Sequence, residues 1–246
     1  KDDTDTKSIL KERATQDDNW NVRGAAVEEL AKNFKDDTDT KSILKKRATQ
    51  DDDEDVRGAA VQELAKNFKD DADTKSILKK RATQDDNWNV RGAAVQELAK
   101  YFKDDPDTKS ILKERVTQDK HWFVRVAAVE ELVNNFKDDP DTKSILKERA
   151  TQDDDEDVRG RAVQKLGKYF KYQPELFDIY HNCAVNDPFE REEEDETNPR
   201  RIALEIIIKQ FTQHPQTLTL LRDRTENDPD KQVREFAQKK LKQWEG

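Results

Sequence analysis

The sequence returns to one phrase at a constant interval of 34 residues. Copies of K-D-D-x-D-T-K-S-I-L-K-x-R begin at Lys1, Lys35, Lys69, Lys103 and Lys137. A fixed period of this length is typical of proteins built from stacked small units, each of which contacts only its neighbours. The repeat therefore argues against a single closed core and predicts an elongated surface that is suited to binding.

Each copy predicts two α-helices joined by short turns. In one copy, Asp105 can cap a helix whose first residue is Pro106 and which ends near Gln118. The second helix of each copy carries apolar residues on one stripe, as in Val56, Ala60, Val61, Leu64 and Phe68. Because the turns are short, neighbouring helices are expected to run antiparallel.

The copies change in character along the chain. Five near-identical repeats occupy residues 1–171, a divergent repeat with an acidic insertion from Glu190 to Glu196 occupies 172–212, and a terminal capping repeat occupies 213–246. A polar outer face in the last repeat suits a cap, which protects the exposed end of a stack. We therefore predict an all-α fold, a right-handed α–α superhelix (solenoid) of about seven helical hairpins.

Composition and charge narrow the function classes. Charged residues make up 41% of the chain and hydrophobic residues 33%, which suits a thin stack that buries one stripe per helix. The net charge of −9, with both signs mixed, disfavours nucleic-acid binding, although a basic stripe on one face stays possible. No apolar run approaches the ~20 residues that span a bilayer, so no membrane partner is expected.

Two further features concern compartment and completeness. Cys183 is the only cysteine, so the chain has no internal disulfide, and we predict a reducing, cytoplasmic location. The chain contains no methionine and begins inside a repeat. We therefore expect it to be fused to a further N-terminal domain.

Catalytic and metal-binding patterns are weak. The histidines His121, His181 and His214 lie far apart in sequence and lack ligand spacing. His181 and Cys183 would point to opposite sides of a helix, which disfavours a nucleophile pair. The Asp-Asp pairs lack the ligand order of a calcium loop and are interpreted as helix caps. We predict no enzyme activity, no cofactor and no metal.

The string D-D-x-x-x-V-R-G-A-A-V-x-x-L-A, at Asp51 to Ala65, resembles the HEAT repeat family, in particular the short HEAT-like repeats of phycobilin-lyase-related proteins and bacterial scaffolds. The near-identical copies are also similar to the arrays of cyanobacterial NACHT-type signalling ATPases. The resemblance implies a non-enzymatic scaffold that binds protein or peptide, as the ligand-sensing arm of a larger intracellular signalling protein. The alternative that it implies is a bilin-lyase-like accessory protein of pigment attachment.

One arginine per copy lies at the edge of the buried stripe. There it can hydrogen-bond the loop aspartate of its own or an adjacent repeat and so form a ladder along the stack. The alternative is a row that binds phosphate. The predicted ladder consists of Arg23, Arg57, Arg91, Arg125 and Arg159.

The residues that differ between copies are the candidates for partner binding. One position alternates between Trp20, Glu54, Trp88, Trp122 and Glu156. Each tryptophan is either a binding anchor or a cover over the seam between repeats. The fourth copy adds an apolar patch on the outward, concave face, and the fifth places an arginine there. The predicted partner-binding residues are Trp20, Trp88, Trp122, Phe123, Val126 and Arg161.

Overall fold

A computed structural model describes residues 3–245 of the 246-residue chain. Over these residues it contains α-helices, one short 3-10 turn and no strand. The helices are α1 (Asp3–Gln16), α2 (Trp20–Asn33), α3 (Thr38–Gln50), α4 (Glu54–Asn67), α5 (Ala72–Gln84), α6 (Trp88–Tyr101), α7 (Pro106–Gln118), α8 (Trp122–Phe136), α9 (Pro140–Gln152), α10 (Glu156–Tyr169), α11 (Phe177–Asn186), α12 (Pro199–Gln210), α13 (Thr217–Asn227) and α14 (Lys231–Glu245), with the 3-10 turn at Pro174–Leu176. The predicted all-α fold is confirmed.

The helices follow one another in pairs. α1 packs on α2, α3 on α4, α5 on α6, α9 on α10, α11 on α12 and α13 on α14. With α7 and α8 the order gives seven pairs, numbered here as repeats 1 to 7. The chain divides into two compact units, Lys1–Asn135 and Phe136–Gly246. The segments 1–171, 172–212 and 213–246 and the right-handed superhelix stay predictions.

Local sequence sets the helix ends. α7 begins at Pro106, and the Asp105 side chain accepts a hydrogen bond from the backbone N–H of Asp107 at 3.0 Å. Asp53 caps α4 in the same way. These caps satisfy N–H groups that have no partner within the helix, and they place a negative charge at the positive end of its dipole. The predicted capping role of these aspartates is confirmed.

The predicted apolar stripe forms the core, except at its last member. Val56, Val61 and Leu64 are fully buried, and replacing such a leucine by alanine typically costs about 2–5 kcal/mol. Phe68 is only half-buried, because α4 ends at Asn67 and Phe68 is its C-cap residue. Its backbone N–H donates to the carbonyl of Leu64 at 2.8 Å.

In the first unit the two helices of a repeat pack differently against the next repeat. The second helices α2, α4 and α6 contact one another along much of their length, whereas the first helices α1, α3 and α5 meet at few points. Unequal spacing of two layers bends a stack towards the closer layer. The second helices therefore lie on the inner side of the bend in this unit.

Candidate functional site

Each ladder arginine joins two successive repeats. Arg57 donates from Nε and Nη2 to the two carboxylate oxygens of Asp85, at 3.2 and 2.9 Å. Its Nη1 donates to the backbone carbonyl of Asp51 at 3.0 Å. The Arg57 side chain is buried, so this bidentate pair is shielded from water. Arg57 thus holds both its own turn and the turn of the next repeat.

The same geometry recurs in both units. In the first unit Arg23 pairs with Asp51 and Arg91 with Asp119, and in the second Arg159 pairs with Asp187. Arg125 donates to the backbone carbonyl of Asp119. The donors of these guanidiniums point to protein oxygens, which supports the structural interpretation over a phosphate-binding row.

Asp85, the buried partner of Arg57, is held ionised. Burial by itself would raise the pKa of Asp85, but hydrogen bonds from Arg57 and from the backbone N–H of Asn87 outweigh it. The pKa of Asp85 therefore lies below its ordinary value. The ladder continues at Arg200, which donates from Nε to Asp228 at 3.2 Å and extends the arginine row into the divergent repeat.

The three predicted tryptophans lie in different environments. Trp88 stacks parallel on His121 of the next repeat, with ring centroids 4.4 Å apart, and meets Phe123 edge-on at 4.9 Å. Trp20 and Trp122 keep 41% and 39% of their surface exposed. Trp88 therefore covers a seam between repeats, whereas Trp20 and Trp122 are open to a partner.

Phe123 and Val126 are less exposed to solvent than the predicted outward apolar patch would be. Both side chains are half-buried. A Cβ atom at Gly92 would lie 3.0 Å from Cε1 of Phe123, so the ring packs directly over the backbone of α6. Together with Trp88, His121 and Trp122 it forms an aromatic cluster on the second helices of repeats 3 and 4.

A groove of about 390 Å³ runs along the second helices of the first unit. We call it the second-helix groove. It contains carboxylates, small residues, neutral polar residues and one aromatic ring. The lining residues are Glu28, Glu54, Asp55, Gly58, Ala59, Gln62, Asn89, Ala93, Gln96 and Phe123.

Arg161 belongs to the second unit and lies in a hollow of its own. It shares this hollow of about 150 Å³ with Glu156, Asp157 and Ile202. Its Nη1 donates to Gln164 at 3.3 Å. Arg161 thus lies in the second unit, whereas the aromatic cluster belongs to the first.

The acidic insertion forms a folded loop that the sequence pattern did not reveal. Arg191 donates to the carboxylate of Asp230 at 3.0 Å and to the backbone carbonyl of Glu196 at 2.7 Å. The Glu196 carboxylate in turn accepts the backbone N–H of Glu192 at 2.8 Å. Because this repeat has no copy elsewhere in the chain, no alignment of repeats could indicate these contacts.

The remaining reactive side chains are buried or scattered. Burial raises the pKa of the Cys183 thiol to about 12, and its Sγ lies 3.4 Å from the carbonyl oxygen of Ala150. His181 and His214, which are far apart in sequence, both contact the ring of Phe177. Among residues 3–245 no group of three or more potential ligands is arranged to hold a metal, and no helix is long and apolar enough to cross a membrane.

Two solved structures are similar to this chain. YibA from Escherichia coli has a similar crystal structure, with 19% identity and a TM-score of 0.59 over 97% of this chain and 82% of that chain. The complex of CpcE and CpcF of phycocyanin lyase from Nostoc sp. PCC7120 gives 24% identity and a TM-score of 0.47 over 66% of this chain and 99% of that chain. No curated protein sequence matches the chain.

The family model described as HEAT repeats matches residues 1–65 and 76–167. These two segments cover more than half of the sequence and include the ladder arginines Arg23, Arg57, Arg91, Arg125 and Arg159. The chain therefore belongs to the HEAT repeat family.

Proposed function

We propose that this protein is a non-enzymatic scaffold that binds a protein or peptide on the second-helix face of its first unit. It would serve as the ligand-sensing arm of a larger intracellular signalling protein. The observation that carries the proposal is the aromatic cluster of Trp88, His121, Trp122 and Phe123, which lies beside the second-helix groove. Trp122 is the open member of this cluster, with 39% of its surface exposed.

The physical basis is the behaviour of aromatic side chains at interfaces. A ring that is partly buried before binding loses little conformational freedom on binding and adds a large contact area. Phe123 is fixed in place over Gly92, and Trp122 contacts it at a centroid distance of 5.9 Å. Such a preorganised pair is typical of the residues that contribute most to affinity.

A library of random peptides displayed on phage and selected against the full chain tests the proposal. Selected peptides are expected to lose at least tenfold in affinity, about 1.4 kcal/mol, for the variant Phe123→Asn/Val126→Gly. This variant gives repeat 4 the residues that repeats 1 and 3 already carry, Asn21 with Gly24 and Asn89 with Gly92, so the fold is expected to tolerate it.

The matched control is Ile9→Ala, which removes an exposed apolar side chain from the first helix of repeat 1. It should leave binding unchanged. Equal affinity of the selected peptides for the chain and the double variant would contradict the proposed surface. The bilin-lyase-like alternative stays a prediction, and the absorption spectrum of a bilin mixed with the purified chain tests it.

A further inference from the structure

Three carboxylates line the second-helix groove. Glu28, Glu54 and Asp55 line it, and within the described structure their carboxylates make no hydrogen bond or ion pair. Among the described residues that line the groove, none is lysine or arginine. The groove therefore brings three carboxylates without a basic partner close together on one surface.

The charge continues beyond the groove along the same helices. Lys66 lies one turn beyond Gln62, but its ammonium is 3.5 Å from the carboxylate of Glu63 and is already paired. Burial raises the pKa of Glu97; the charge of Lys100 opposes this rise, the carboxylates of Glu63 and Glu131 add to it, and Lys66 opposes it. Glu63 and Glu97 thus place carboxylates next to Gln62 and Gln96, which line the groove.

The groove also contains an open hollow at Gly58, which is open at the equivalent Gly24 as well but is filled in two other repeats. Apart from its chain neighbours and the backbone of its own helix, no atom of the described chain lies within 4 Å of the position that a Cβ at Gly58 would take. The equivalent Gly92 is covered by Phe123, and the equivalent Gly160 is covered by Ile202 at 3.2 Å. The fold therefore accepts an apolar side chain at this position, and at Gly58 the chain does not supply one.

We propose that the second-helix groove binds a cationic peptide segment, with Lys or Arg side chains on Glu28, Glu54 and Asp55 and an apolar side chain in the hollow at Gly58. This proposal rests on the proposed function and names the chemistry of its partner. A neutral or acidic partner would cover the carboxylates without compensating them, which is unfavourable, whereas a cationic one pairs with them. The aliphatic stems of Lys and Arg can also cover Ala59.

Three labelled peptides of equal length test the proposal, each with three copies of a four-residue unit: Lys-Ala-Leu-Ser, Gln-Ala-Leu-Ser or Glu-Ala-Leu-Ser. Fluorescence anisotropy with the full chain is expected to show the lysine peptide binding at least tenfold more tightly than the glutamine peptide. Added salt should weaken the binding of the lysine peptide, because it screens charges at a partly open surface. Equal binding of the lysine and glutamine peptides would overturn the proposal.

Two variants locate the site. Glu54→Gln/Asp55→Asn removes both charges with little change in shape, and Glu54→Trp/Asp55→Asn installs the residues that repeats 1 and 3 carry at these positions. Each is expected to bind the lysine peptide about tenfold more weakly. The control Glu12→Gln/Asp36→Asn removes the same charge from α1 and the turn after α2, and it should bind like the unaltered chain. If the control variant loses as much affinity as the two groove variants, the net charge of the chain alone attracts the peptide. That result would overturn the proposed site.

The phage selection separates this inference from the proposed function. Selected peptides rich in Lys or Arg that lose affinity with Glu54→Gln/Asp55→Asn support both. Selected peptides that lack basic residues but require Phe123 would overturn the cationic inference and leave the proposed function standing. A selection that yields no binding peptide would overturn both.

Discussion

The second-helix face is open at two glycines of the first unit and filled at both described glycines of the second. In residues 1–135, a Cβ built at Gly24 or Gly58 meets no atom within 4 Å apart from its chain neighbours and the backbone of its own helix, whereas Phe123 covers Gly92. In residues 136–246, Ile202 approaches the equivalent position at Gly160 and Ile206 lies over Gly167. Both units use the same repeat, so the difference arises from the side chain that the following repeat supplies: Phe123 over Gly92, the isoleucines of the divergent repeat over Gly160 and Gly167, and none over Gly24 and Gly58.

The two faces also differ in charge. A glutamate recurs at one position of the second helix through the first unit, at Glu29, Glu63, Glu97 and Glu131. In the second unit this position is Lys165, and Arg161 replaces the alanine found in every earlier copy. The second unit keeps Glu156 and Asp157 at the positions of Glu54 and Asp55, but there Arg161 lies in the same hollow and adds a positive charge.

The largest loss of unfolding free energy is expected in the arginine ladder, which the two units share. Arg57→Ala in the first unit and Arg200→Ala in the second should each lower the free energy of unfolding by about 2–3 kcal/mol, because each removes one of the two arginines that pair with a buried aspartate. Urea denaturation measures both. Arg13→Ala is the control, since Arg13 pairs with Asp17 at the surface and should cost at most about 1 kcal/mol. A loss as small as that of the control in either unit would contradict a shared ladder.

Smaller changes in unfolding free energy are expected when a glycine on the open or on the filled face is replaced by alanine. Gly58→Ala should raise the free energy of unfolding by about 0.5–1 kcal/mol, because alanine favours the helix and meets no atom. Gly167→Ala should lower it by about 1 kcal/mol, because Cδ1 and Cγ1 of Ile206 lie 2.5 and 2.8 Å from the new Cβ. Urea denaturation of both variants shows whether each substitution raises or lowers the free energy of unfolding. The same sign for both would remove the distinction between the two faces.

The smallest change in unfolding free energy is expected at acidic pH. Lys75 and Lys79 contact the Asp105 carboxylate at 2.7 and 2.8 Å, and their hydrogen bonds lower its pKa from 3.8 to about 2. At the equivalent contact in the second unit Lys143 meets the neutral Gln173, at 2.9 Å.

Since the pKa of Asp105 is lower in the folded than in the unfolded chain, its contribution is complete above about pH 4 and is lost as the pH falls towards 2. Asp105→Asn keeps a capping side chain and should reduce the acid-induced loss of stability by less than about 1 kcal/mol. Unfolding free energies measured across this pH range check it, and an unchanged pH dependence would show that this contact contributes nothing.

Local features of the fold could be predicted from the sequence. The start of α7 at Pro106, its cap at Asp105 and the buried Val56, Val61 and Leu64 all depend on residues within one or two helical turns. The packing of Phe123 could not be predicted in this way. Its spacing from Val126 indicated an outward patch, but the ring contacts Trp88 and Gly92 of the preceding repeat.

The repeat period, the helix pairs, their caps and the edge position of the arginines were determined by the sequence alone, because short-range preferences and a 34-residue register fix them. The tertiary structure decided which aspartate each arginine binds, 28 residues further along the chain for Arg57 and Asp85. It also decided which glycines are covered and which carboxylates stay unpaired. These outcomes depend on distances between successive repeats, which packing sets and no local pattern records.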